Sequence, residues 1–333
     1  MAVDRRAPPW PAVVATTLRL WLGRRGGPLD RLSRPRWAIP LGVLAVVAVV
    51  AGLAVSVRGH AGSASSTRHT TTRGGPAAGA PGETSGTAAA GHEAAIWVAR
   101  QVSRDAMVAC DPGMCRMLRA QGLAAGNLLE LGPGAAGLRF SDLIVATQAV
   151  RDLVGSRLQR QDAPIVIASF GVGSARIDIR AVAAGGAAAY RAELAADLAA
   201  RRTAAAELVK SPRVRATGAA RLDLLTGKVD SRLLITLAEL AVSYRVRAVA
   251  FGDLAPGASA GVPMREMELA APGRPAARLS ELRRIRSFVL AQRAVFLPAQ
   301  ASLVRLAAGG PALRIAFGAP SPLGLLHGRP VTQ

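Results

Sequence analysis

Glu266 and Glu268 stand two residues apart, so in an extended strand their carboxyl groups project to the same side, and paired carboxyls are what glycoside hydrolysis uses. Acids on an exposed strand face are the commoner origin of that pattern, so it implies no hydrolase by itself. Cys110 and Cys115 are the only cysteines, separated by Asp111-Pro112-Gly113-Met114 rather than by the two-residue gap of thiol redox proteins. Nucleophilic chemistry with a histidine base lacks its base, because the only histidine beyond residue 92 is His327, in a Pro/Gly-rich tail. His60, His69 and His92 are irregularly spaced, and with only two cysteines no metal site and no cofactor are expected. Gly171-Val172-Gly173 lacks the third glycine of a dinucleotide fingerprint and leads into a strand pattern, which makes it a turn. Gly227-Lys228 has neither the upstream glycine nor the following Ser/Thr of a phosphate loop.

The elements that would carry these residues alternate between helix and strand, which predicts an α/β or α+β ectodomain with mixed sheets. Helices are expected over 93–102, 112–121, 187–210, from Val229 through Ala241, and from Leu279 to Val289. Short apolar runs at 106–110, 127–131, 142–147, 246–251, 302–306 and 312–317 read as strands, as does 262–269. The clearest strands are 164–170 and 174–182, a hairpin in which Ile177 and Ile179 alternate with Arg176, Asp178 and Arg180. On the long helix, Asp197 and Arg201 form an i, i+4 pair. Ser211-Pro212 interrupts the pattern, dividing the ectodomain into 93–211 and 212–333.

Everything before residue 93 concerns location. Trp37 to Val57 is an uncharged, mostly apolar run of 21 residues, a helix of roughly 31 Å that matches a bilayer core. Residues 1–36 form a basic arm with eight Arg against Asp4 and Asp30, so the positive-inside rule keeps the N-terminus cytoplasmic and places the rest outside. The run is too long, and the segment before it too extended, for a typical cleaved signal, so it is expected to stay as a single-pass anchor. Ala48, Gly52 and Ser56 recur every four residues and would let a second membrane helix approach. Residues 58–92, rich in Gly, Ala, Ser, Thr and Pro, are expected to be a disordered linker with a reach of roughly 30 Å.

The net charge of +21 then acquires a context. Residues 93–333 hold 31 basic and 18 acidic residues, a balance of +13, and 40 of the 42 basic residues in the whole chain are Arg. An exported domain meets little nucleic acid, and aromatic residues for base stacking make up only 4% of the chain. Anionic envelope polymers or lipid headgroups suit that surface better. The oxidising compartment also favours a disulfide between Cys110 and Cys115.

Two stretches have a familiar order. Trp97-Val98, Asp105-Ala106-Met107-Val108, Asp111, Leu118, Gly122, Asp142 through Thr147, Ile167 through Gly173 and Arg176 through Arg180 together resemble the extracytoplasmic C-terminal domain of protein-mannosyltransferase-type membrane glycosyltransferases. Those enzymes keep their transfer machinery in many membrane helices, so the resemblance implies an α/β module used beside envelope glycans, without transferase activity. Residues 229–318 resemble an OmpA-like peptidoglycan-binding domain: helix, strand ending Phe251-Gly252-Asp253, Gly-rich loop, then Leu279-Ser280 and Arg283 opening a helix. That resemblance implies ligand-binding roles for Asp253 and Arg283 on the peptide stem, although the family's Thr before the Asp and Asn before the Leu-Ser are missing.

The function expected from the sequence is a membrane-anchored, non-catalytic extracytoplasmic protein that binds or organises anionic or peptidoglycan-like envelope polymer. The alternative is an accessory subunit that recruits a membrane-protein partner, an envelope glycosyltransferase or division complex. A carbohydrate-active enzyme ranks behind both.

Overall fold

The structure of the protein, a computed structural model, describes residues 81–253 and 261–327. The basic arm, the apolar run 37–57 with Ala48, Gly52 and Ser56, and linker residues 58–80 lie outside them. Among the described residues no helix is long and apolar enough to cross a membrane.

The fold is α/β with two five-stranded mixed sheets. In the first, β1 (Val108–Cys110) lies parallel to β2 (Leu128–Glu130) on one side and to the central strand β3 (Leu143–Ala146) on the other. The antiparallel strands β5 (Ile177–Ala181) and β4 (Ile165–Phe170) complete the order β2-β1-β3-β5-β4. Strand periodicity sorts the core by face. Val108, Cys110, Leu143, Val145 and Ile179 point to α1 (Pro81–Gln101) and α2 (Pro112–Ala120), while Ala109, Ile144 and Ala146 point to the layer containing Leu138, Leu158 and Val150 of α3 (Gln148–Val154).

Helix α1 corrects the expected linker boundary, since it begins at Pro81 and not near residue 93. Residues 86–92 lack bulky side chains and therefore read as unable to fold. Their smallness is what lets the helix lie down: Ala90, Ala94 and Ala95 are buried, and a Cβ on Gly91 would reach within 3.0 Å of Met117 on α2.

At the carboxyl end of β1, Asp111 caps α2 by accepting from the amides of Gly113 and Met114, at 2.9 and 3.0 Å, and Pro112 supplies the first helical residue. Cys110 and Cys115 are disulfide-bonded, Cα to Cα 5.4 Å, tying the strand end to that helix. In the chain-entropy model, closing so short a loop contributes about 2 kcal/mol. The double variant C110A/C115A is therefore expected to melt lower than the parent by that margin in thermal unfolding followed by circular dichroism, with the far-ultraviolet spectrum retained. An unchanged melting temperature would show the bridge to be dispensable.

The β4–β5 hairpin turns at Gly171, whose φ of +67° favours glycine, and where a Cβ would stand 2.7 Å from the Ala175 carbonyl oxygen and 2.8 Å from Ala90. Strand β5 departs from its expected half-exposed character, for all five residues are buried. Its charges satisfy one another: Asp178 accepts from Arg180 at 3.1 Å, from Arg176 at 2.8 Å and from Ser169 at 2.7 Å, while Arg180 also donates to the Ala163 carbonyl. Burial pushes Asp178 up, yet the Arg176 and Ser169 hydrogen bonds and the two guanidinium charges outweigh it and hold the carboxyl below its ordinary range.

From β5 the chain enters α4 (Ala187–Leu208) and then the second sheet, ordered β6-β7-β8-β10-β9. Here β6 (Val214–Ala216) is parallel to β7 (Val246–Gly252), and β8 (Glu266–Ala270), β10 (Pro311–Ala316) and β9 (Gln300–Arg305) continue antiparallel. Helices α5 (Gly218–Leu225) and α6 (Ser231–Ser243) pack on β7, and α7 (Pro275–Leu290) packs on β9 and β10. The two sheets are joined by the last described segment. Ala319 pairs with Val102 at the end of α1, exchanging hydrogen bonds of 2.6 and 2.8 Å with Gln101 and Ser103, and a Cβ on the neighbouring Gly318 would lie 2.8 Å from the Ser103 nitrogen.

Candidate functional site

In doubly wound sheets ligands collect beyond the carboxyl ends of the strands, where the strand order reverses. In the first sheet that place lies between β1 and β3, and the protein fills it with its own groups. Asp111 accepts the Thr147 hydroxyl at 2.6 Å, Thr147 caps α3, and Arg151 donates to the carbonyls of Ala146, Ser174 and Arg176.

The open space lies at the opposite end of the same sheet, where β3 begins and β5 ends. A cavity of about 490 Å³ is lined there by Arg139, by Arg160 and Asp162 of the π-helical turn Leu158–Asp162, by the Val182–Gly186 connection, and by Arg191 on α4. Each wall has a local cause. The connection is fixed because Val182 donates to the Asp142 carbonyl and Ala183 to the Asp162 carbonyl, at 3.0 and 2.6 Å. Gly186, with φ +87°, turns the chain into α4 and provides no side-chain cap, so the first-turn amides of a 22-residue helix meet no side-chain acceptor. Such an end carries partial positive charge.

The side chains around it add to that charge. Arg139, Arg160 and Arg191 are exposed, and the guanidinium groups of Arg139 and Arg191 have no ion-pair or hydrogen-bond partner among the described residues. Arg160 donates to the Ser156 hydroxyl. The one acid in the lining, Asp162, is engaged by Arg157 at 2.7 Å. The cavity therefore faces solvent with three cations and no free carboxylate.

A second hollow of about 790 Å³ shares Arg139 and the Val182–Gly185 wall with the first and continues along α4. Its lining includes Phe140, 78% exposed, then Tyr190, Glu193 and the Pro320–Gly324 segment. Burial, followed by the nearby Glu193 and Asp197 carboxylates, pushes the Tyr190 phenol up to about 12, so it remains a neutral hydrogen-bond donor across the ordinary pH range. Asp197 accepts the Gly324 amide at 3.2 Å and so ties the far wall to α4. The volumes of both hollows fall in the range that encloses an organic ligand rather than a lone ion.

The residues singled out from the sequence sit elsewhere. Asp253, one residue past β7, is paired with Arg265 at 2.6 Å, and Arg265 in turn donates to the Gln101 carbonyl and lies 5.7 Å from the centre of the Trp97 ring. Arg283 is exposed on α7. Glu266 and Glu268 do share a face of β8, where Arg314 of β10 bridges them at 3.3 and 2.8 Å. Burial raises the Glu266 carboxyl above its ordinary value against the pull of Arg314.

Sequence reasoning passed over Arg139, Arg160 and Arg191 because isolated arginines in an Arg-rich chain carry no pattern. One signal was present: Gly185-Gly186 opens a long helix without the usual Ser, Thr, Asp or Asn cap. No protein-family model, curated protein or solved structure matches this chain, so the groove itself is the strongest guide to function.

Proposed function

We propose that this chain is a membrane-anchored, non-catalytic extracytoplasmic protein that binds anionic or peptidoglycan-like cell-envelope polymer through the groove at the amino end of α4. The observation that carries the reading is the cavity ringed by Arg139, Arg160 and Arg191, with two of those guanidinium groups unpartnered among the described residues. Arginine suits such a role because its planar fork matches carboxylate and phosphate oxygens. Support for the non-catalytic part is that the Arg314 guanidinium lies between the two acids, 3.3 Å from Glu266 and 2.8 Å from Glu268, where a sugar would have to enter.

The test is co-sedimentation of the full chain, in detergent, with purified cell wall. Retention is expected at low salt and should fall as salt screens the contact. The variant R139Q/R191Q should lose at least tenfold in apparent affinity while melting like the parent, because both side chains are exposed. Retention of the variant equal to that of the parent would remove the groove from the reading.

A further inference from the structure

The two hollows differ in sign, and that difference narrows the ligand. On α4, Ala187, Ala188 and Arg191 line the smaller cavity, whereas Ala189, Tyr190, Glu193 and Ala196 line the larger. At about 100° per residue, positions 187, 188 and 191 share one stripe of the helix and 189, 193 and 196 share another. The cationic end therefore continues directly into a stretch that presents a carboxylate.

Glu193 is exposed and has no ion-pair or hydrogen-bond partner among the described residues. Asp142 lies in the same lining and spends one oxygen on the Met107 amide at 2.8 Å. Between the two ends the shared wall is Val182-Ala183-Ala184-Gly185, small side chains that leave room beside backbone, with the neutral Tyr190 phenol available to donate. A uniformly anionic polymer would meet Glu193 as a like charge. A ligand with an anion at one end and an ammonium group further along would meet opposite charges at both.

We infer that the groove takes an extended zwitterionic segment, an amine-bearing peptide whose terminal carboxylate lies against Arg139, Arg160 and Arg191 and whose side-chain ammonium lies against Glu193. This rests on the anion-binding reading above and deepens it, since it selects the peptide part of an envelope polymer over a purely anionic chain.

The experiment is calorimetric titration of the full chain in detergent with three probes: Nα-acetyl-Ala-Lys-Ala with a free carboxylate, its C-terminal amide, and its Nε-acetyl derivative. The parent is expected to bind the first probe and to lose about tenfold in affinity for each of the others. The variant E193Q should bind the first probe about tenfold more weakly and no longer distinguish it from the Nε-acetyl derivative; R139Q/R191Q should bind the first probe at least tenfold more weakly and distinguish it far less from the amide. If amidation weakens binding but Nε-acetylation does not, the anion-binding reading stands and the zwitterion inference is overturned. If neither modification matters, or no probe binds, the inference is overturned, and the cell-wall sedimentation then decides the broader reading on its own. Because the probes vary while the protein stays the same, a misfolded variant cannot produce either pattern.

Discussion

Replacing Arg232 by methionine is expected to destabilise the folded chain by about 3–5 kcal/mol, the cost of leaving one member of a buried ion pair behind. The Asp230 side chain is fully buried and that of Arg232 is 5% exposed, at a separation of 2.7 Å. Asp230 caps α6 through the Arg232 amide at 2.8 Å, and the guanidinium also reaches the Gly318 carbonyl at 3.0 Å and stands 4.8 Å from the centre of the Phe317 ring. One side chain thus fixes a helix start and the segment that joins the two sheets. Without it, Asp230 must stay charged with too few donors or take up a proton.

The pH dependence follows in sign. Burial pushes Asp230 up, but Arg232 outweighs it, leaving the carboxyl below its ordinary value of 3.8. The unfolded chain therefore binds the proton more readily in the acid range. The stability from this pair is present above 3.8 and is lost as pH falls through the depressed value. In R232M burial is opposed only by the Ser321 hydrogen bond and the residue-232 amide, so the carboxyl rises relative to the parent and acidification should narrow the gap between the two. Thermal unfolding at pH 7 and at about pH 4 measures both effects. The variant D230N/R232M, which keeps a capping oxygen but no orphaned charge, should recover most of the loss. A melting temperature for R232M equal to the parent's would refute the account.

Asp197→Ala should be comparably damaging, by about 3–5 kcal/mol, and should also weaken ligand binding. Asp197 and Arg201 are 2.7 Å apart with side chains 2% and 3% exposed. The same carboxylate accepts the Ser231 hydroxyl and the Gly324 amide, both at 3.2 Å, while Arg201 donates to the Gly227 carbonyl. Alanine strands the guanidinium and releases the Pro320–Gly324 wall of the larger hollow. Asparagine keeps an acceptor for Gly324 and Ser231 but loses both the charge and the oxygen that accepts from Arg201. Urea unfolding should give a lower midpoint with an unchanged slope for both variants. Cell-wall retention, compared where both remain folded, should be weaker for D197A than for D197N. Equal retention would show that the wall does not shape the site.

These two pairs also mark where the sequence stopped being legible. The i, i+4 spacing of Asp197 and Arg201 placed them on one helix face, and that pattern ordinarily means a solvated surface pair. Burial of that face came from α6, the Gly227 turn and the chain near Gly324, whose arrival no local spacing announces. Strand β5 makes the same point. Alternation located it to within a few residues, but apolar–charged alternation is read as one wet face, and the wet face proved to be a closed Arg–Asp–Ser network. Elements with weak local signals were missed outright: β6, of three residues, and α3 and α5, of seven and eight, are too short for a period to repeat.

The sequence by itself determined the α/β class, most strand and helix positions in both sheets, the pairing of the only two cysteines, and the excess of arginine that any partner must meet. Each depends on period, composition or chain proximity, which are properties of neighbours in sequence. Only the tertiary structure decided which arginines are buried in ion pairs and which stand exposed at a cavity. Arg180, Arg201, Arg232 and Arg265 are buried against aspartates, whereas Arg139, Arg160 and Arg191 gather from three separate elements around one cavity. Residues as far apart as 139 and 191 become neighbours because β5 runs antiparallel to β3 and delivers α4 beside the start of that strand. A binding site assembled by strand order leaves no spacing in the chain, and so it had to be found in three dimensions.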